Sequence, residues 1–134
     1  MASNEVLATA VLALFPADFD VHTQVPSGAE VPWVFVSMTL PTVIERSLGR
    51  TPHLSRCVVR VRLVAANDTA VRQMADIVLP ALEGHRPVAT GWKTTGLAQL
   101  GEQRVDEDYD VTLTPTAAHP MVGYSDWDFT ATPA

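Results

Sequence analysis

Apolar residues recur along this chain with two periods, and the two alternate in blocks. Over residues 3 to 15, Val6, Leu7, Ala10, Val11 and Leu14 fall on one face at helical spacing. Ser3 or Asn4 can cap that helix, Glu5 suits the positive end of its dipole, and Pro16 stops it. A second helix is predicted from about Thr69 to Glu83, capped by Asn67 or Asp68. Gly84 stands where a left-handed residue closes such a helix. Its stripe of Val71, Met74, Ala75, Val78, Leu79 and Leu82 suits a helix lying on a sheet. Pro80 opposes this assignment: it removes one backbone bond and should kink the last turn or end the helix early.

Between and after the helices the period is two. A short extended piece, Phe19 to Thr23, leads through a turn at Pro26-Ser27-Gly28 to the run Val31 to Met38. Trp33 and Phe35 point one way there and Val34, Val36 and Met38 the other, which predicts a strand in the middle of the fold with Trp33 in the core. Residues 40 to 55, with Pro41, Gly49 and Pro52, read as a strand extension and a long loop. Val58 to Ala65 is the clearest half-buried strand, with Val59, Val61, Leu63 and Ala65 on one face and Arg60 and Arg62 on the other. Residues 85 to 104 carry no clear period, broken as they are by Pro87, Gly91, Gly96 and Gly101. From Val105 to Pro115, Tyr109, Val111 and Leu113 alternate with Asp108, Asp110, Thr112 and Thr114, and Thr116 to Pro120 can turn the chain. Val122 and Tyr124 then alternate, as do Trp127, Phe129 and Ala131. The phase slips near Ser125-Asp126, which predicts a bulge or bend there. The order predicts an α+β fold: a mainly antiparallel, twisted sheet with two helices packed on one face.

Length and composition narrow this further. The chain has 134 residues, 47% hydrophobic and 18% charged, which fits one globular domain over 1–134. One cysteine, Cys57, excludes an intrachain disulfide and a Cys-rich zinc module. The start, Met1 to Glu5, lacks the basic residues of a signal peptide, and no apolar run approaches the roughly 20 residues that span a bilayer. Expected residence is the cytosol, or a particle assembled there. Net charge is −6, and the nine basic residues are scattered, which argues against tight binding of nucleic acid.

Candidate chemistry is sparse. Asp106, Asp108 and Asp110 imitate the start of a calcium loop, but Val111 and Ala117 stand where that loop needs Gly and Glu. On a strand the three aspartates share one face, solvated or used in an interface. His22, His53, His85 and His119 occur singly, with no ligand or catalytic spacing. Cys57 reads as a small hydrophobe. Thr90 to Gly96 lacks the spacing of a phosphate loop and reads as a flexible hairpin, and no GxSxG elbow is present. Trp127, between Asp126 and Asp128, is a candidate for core or interface. Arg60 and Arg62 are either ordinary solvated residues or partners of the acidic strands, within the sheet or across a subunit boundary.

Several segments together resemble the tail terminator (tail completion, tail-to-head joining) proteins of long-tailed bacteriophages, particularly those infecting actinobacteria. They are the opening helix, the proline-started strand Val31-Pro32-Trp33-Val34-Phe35-Val36, and Val59 to Ala65 leading into the Asp68 to Leu82 helix. The closing pair, Asp110 to Thr114 and Phe129 to Thr132, completes the likeness, which covers nearly the whole chain. The resemblance implies a six-membered ring in the virion that caps the finished tail tube and offers a surface to the head connector. It implies no enzymatic activity and no cofactor. The implied partners are further copies of the chain, the tail tube protein and the head–tail connector protein, with DNA passing through and no membrane. Such a ring carries a formal charge of about −36, which would let DNA slide without sticking. Asp106, Asp108 and Asp110 are candidates to face the bore. A ring is heterologous and needs two different patches, for which Arg60, Arg62, Asp108, Asp110 and Trp127 are candidates. A head-side connector (stopper or adaptor) and a small enzyme with a metal at Asp106 to Asp110 are the competing readings.

Overall fold

A computed structural model of the chain describes residues 3–23, 32–46, 52–107 and 120–133. The expected turn at residues 26–28, the alternating stretch 108–115 and the turn 116–119 lie outside the described residues, as do Asp108, Asp110 and His119. The elements run in the order α1 (Asn4–Leu12), β1 (Val21–His22), β2 (Trp33–Met38), β3 (Thr42–Arg46), β4 (Pro52–Ala65), α2 (Asp68–Leu82), β5 (Trp92–Thr94), β6 (Ala98–Glu107) and β7 (Met121–Pro133). The fold is α+β, with a mostly antiparallel sheet.

Two long strands, β4 and β7, form the middle of the sheet and pair antiparallel from Ser55↔Ala131 to Ala65↔Met121. On its other edge β4 takes β2 along its C-terminal half and β3 along its N-terminal half. The other edge of β7 takes β6 and β5 in the same way. The chain passes from β2 to β3 through Thr39-Leu40-Pro41. Thr39 holds that break by a reciprocal pair: its N–H donates to Val58 O (2.9 Å), and its hydroxyl accepts from Val58 N–H (3.0 Å). β1 adds two parallel residues outside β2. The expected central strand is therefore next to an edge.

Period two on the long strands builds the core. Cys57, Val59, Val61, Leu63 and Ala65 of β4, Val34 and Val36 of β2, and Trp127, Phe129 and Ala131 of β7 are buried on one side. They form one cluster with Leu7, Ala10 and Val11 of α1 and Val71, Met74, Val78 and Leu82 of α2. Trp33 is outside this cluster and only half-buried, which corrects the expectation for it. Its register partner is Val64, on the opposite side of the sheet, and it meets the ring of His22 edge-on at 6.0 Å between centroids. Apolar residues on both sides of β2 mark one buried surface, Val34 and Val36, and one half-buried surface, Trp33 and Phe35, rather than a central position.

Both helices form where their patterns lie. Ser3 caps α1, its hydroxyl accepting from Val6 N–H at 3.5 Å, and Phe15 closes the following turn as a buried residue while Val6 is exposed. Asn67 caps α2, accepting from Ala70 N–H at 2.8 Å. The helix neither stops at Pro80 nor before it but continues to Leu82, and Gly84 follows with φ +71°. Pro80 forgoes the bond to the Asp76 carbonyl, but only two helical residues follow it, and burial of Val78 and Leu82 on either side holds that turn in place.

The expected irregularity near Ser125-Asp126 is real but sits on the neighbouring strand. β7 keeps unbroken register with β4, whereas β6 fits Leu100 to Arg104 opposite Asp126 to Tyr124, with Gly101 at φ +62°. The apolar pattern of β7 slips in sequence because its inward residues begin with the small Gly123 and Ser125 before Trp127. The expected hairpin at Thr90–Gly96 is also corrected: β5 lies there, and its partner is the distant β7.

Candidate functional site

The side of the sheet away from the core carries an ordered set of charged and aromatic side chains. Register across β2, β4, β7 and β6 aligns Phe35, Arg62, Tyr124 and Arg104 in one transverse row, and Ser37, Arg60, Asp126 and Leu100 in the next. The Arg62 guanidinium lies 4.7 Å and that of Arg104 4.4 Å from the centroid of the Tyr124 ring. An electron-rich ring face stabilises each by about 0.5–1 kcal/mol where exposed. Each arginine also holds a carboxylate: Arg62 Nη1 donates to Asp126 Oδ1 at 3.0 Å and Arg104 Nε to Asp106 Oδ2 at 2.7 Å. One row further, Arg56 Nε donates to Asp128 Oδ2 at 2.8 Å.

Of the readings for Arg60 and Arg62, pairing within the sheet holds for Arg62 alone among the described residues. Arg62 pairs within the sheet, diagonally across the β4–β7 ladder. Arg60 stands directly opposite Asp126 in register, but the carboxylate has gone to Arg62. Among the described residues Arg60 has no ion-pair partner, and it is exposed.

Trp127 cannot serve as a surface contact: it is 1% exposed, and its indole Nε1–H donates to Ser125 Oγ at 2.7 Å inside the core. The acidic neighbours that suggested an interface point the other way, because successive side chains of a strand alternate. Asp106 is exposed on β6 and engaged by Arg104; the two other acidic candidates, Asp108 and Asp110, lie outside the described residues. Among the described residues no three His, Cys, Asp or Glu side chains gather to hold a metal ion. Cys57 is fully buried, and burial pushes its thiol up to about 11, away from nucleophilic chemistry at neutral pH. No helix among the described residues is long and apolar enough to cross a membrane.

Sequence reasoning missed two sets of surface residues. Tyr124, Arg104, Arg56 and Asp128 come together only through strand register, which no single strand reveals. Leu40, Ile44, Ile77 and Val88 are apolar yet 52–80% exposed. Leu40 and Ile44 come from the stretch read as a strand extension and loop, and Val88 from a stretch without a readable period. A groove of about 420 Å³ opens beside Leu40, between α1 and the β2–β3 break, lined by Ala8, Leu12, Met38 and Pro41 with Asn4 and Glu5 at its polar side. No protein-family model matches this chain, and no curated protein is significantly similar to it.

Proposed function

We propose that this chain is a structural virion subunit, forming a ring that caps the tail tube of a long-tailed bacteriophage and joins it to the head connector. The tail-terminator resemblance of the sequence supplies the identity of the assembly. The observation that carries the subunit reading is the distribution of unsatisfied surface. Exposed Leu40 and Ile44 flank one edge of the sheet, Val88 projects by the other, and Arg60 stands unpaired among the described residues on the face away from the core. A subunit of a closed ring needs at least two separate complementary surfaces, and a further one for each end of the ring. The net charge of −6 per copy suits a bore that repels DNA.

Sedimentation velocity and electron images of the purified full chain, alone and with uncapped tail tubes, test the reading. Rings with a central hole, or material seated on tube ends, are the expected result. A chain that stays monomeric when concentrated and ignores tube ends removes it. Bore-facing acidity is tested separately by reversing Asp106, Asp108 and Asp110 together, and unchanged assembly and DNA ejection would take that role from them.

A further inference from the structure

We infer that the segment presenting Val88 in one copy of this chain docks in the groove beside Leu40 of the next copy, so that subunits join head to tail. This rests on the ring reading above and assigns its contact surfaces.

The knob is a pinned piece of chain. Along 86–90 exposure alternates: Arg86, Val88 and Thr90 are exposed while Pro87 and Ala89 are buried. Thr94 Oγ1 donates to Pro87 O, and Trp92 N–H donates to Ala89 O at 3.1 Å, tying the segment to β5. Val88 is thus 80% exposed on a backbone that is already ordered, which lowers the entropy lost on docking. Moving this side chain from water into an apolar groove is favourable in proportion to the apolar area covered.

The groove fits in both chemistry and place. It is mainly apolar, its mouth carries Leu40 at 73% exposure, and about 420 Å³ accommodates a valine side chain with room for its flanking backbone. Groove and knob belong to opposite edges of the sheet, the first to the β2–β3 side and the second to the β5 side, with β4 and β7 between. Two different patches at opposite edges generate a heterologous contact that propagates, and closes if the rotation permits. The charges agree in sign. Arg86 shares the exposed side of the knob segment with Val88, Glu5 lines the groove, and neither makes an ion pair among the described residues. Base on the knob and acid in the groove favour these two surfaces meeting each other over either meeting a copy of itself.

The test uses full-length Val88→Asp and Leu40→Asp, each at an exposed position, with circular dichroism confirming an unchanged fold. Sedimentation velocity of either variant alone should show monomer where the wild type assembles. An equimolar mixture should give one-to-one dimers and nothing larger, because one intact knob meets one intact groove and both remaining ends are blocked. Glu5→Arg and Arg86→Glu should each weaken assembly at least tenfold, and the doubly reversed chain should recover most of it. If both aspartate variants assemble like the wild type, or their mixture stays monomeric, these surfaces are wrong although the ring stands. If Leu40→Asp blocks assembly and Val88→Asp does not, groove meets groove in a symmetric pair and the proposal fails. A wild type that remains monomeric at millimolar concentration and on tube ends overturns the ring reading and this contact together.

Discussion

Gly123 of β7 lies directly beneath Val71 of α2: a Cβ added to the glycine would stand 2.8 Å from Val71 Cγ1, closer than side chains pack. The helix therefore approaches the sheet as near as a missing side chain allows, and Val71, 1% exposed, fills the space. Gly123→Ala should cost about 1–3 kcal/mol by overpacking. Val71→Ala alone should cost a comparable amount by leaving a cavity. The double variant should be less destabilised than the sum of the two, because each change relieves the other. A double-mutant cycle by urea unfolding measures this coupling, and strict additivity would show that the helix stands off from the strand.

Trp127 and Ser125 make a second, independent pair in the core. Both are nearly inaccessible to water, and the indole N–H has the serine hydroxyl as its partner. Ser125→Ala leaves that N–H buried without an acceptor and should cost about 1–3 kcal/mol. Trp127→Phe removes donor and volume together and should cost at least as much. Because Trp33 and Trp92 are partly exposed, the blue-shifted part of the fluorescence should vanish with Trp127→Phe.

Arg60 and Arg62 separate stability from assembly. Arg62 contacts Asp126 and the Tyr124 ring, so Arg62→Ala should lower stability by about 1 kcal/mol, tempered by partial exposure of the pair. Arg60 has neither contact among the described residues, and Arg60→Gln, which sets no second negative charge opposite Asp126, should leave the melting temperature nearly unchanged. Loss of assembly in sedimentation with an unaltered melting curve would place Arg60 at a subunit boundary. Intact assembly would leave it a solvated residue.

These pairs explain which parts of the fold were legible in the sequence. β4 was legible because period two met burial on one side over nine consecutive residues, Cys57 to Ala65. Both helices were legible because their apolar stripes match the buried residues of α2 closely and those of α1 in part. β7 was misread at Ser125-Asp126 because close packing of α2 demands small residues where an alternating pattern asks for large ones. β5 and the first part of β6, Ala98 to Arg104, were missed because a strand exposed on both sides has no alternation to show, and β6 is exposed or half-exposed throughout; only Val105 to Glu107 fell within the expected strand. For the candidate site, Arg60 and Arg62 could be named from their strand, but not told apart. Their difference depends on which of them reaches Asp126, a diagonal contact between strands about sixty residues distant that only register decides.

Cys57 gives a prediction in pH. Its thiol is raised from about 9 to about 11 by burial, with no charged partner responsible. The folded protein keeps this proton where the unfolded chain has already released it. The resulting stabilisation is whole below about pH 9 and is lost as pH rises toward 11, with a full size on the order of 2 kcal/mol. The measurement is the difference between the wild type and Cys57→Ala, in which the contributions of all other groups cancel. The variant should start lower at pH 7 by about 1 kcal/mol for the lost packing. It should then decline less steeply above pH 9, so that the two unfolding free energies converge. In the same window the native thiol should resist alkylation until the chain unfolds, and rapid labelling at pH 8 without unfolding would show that the β4 core opens on its own.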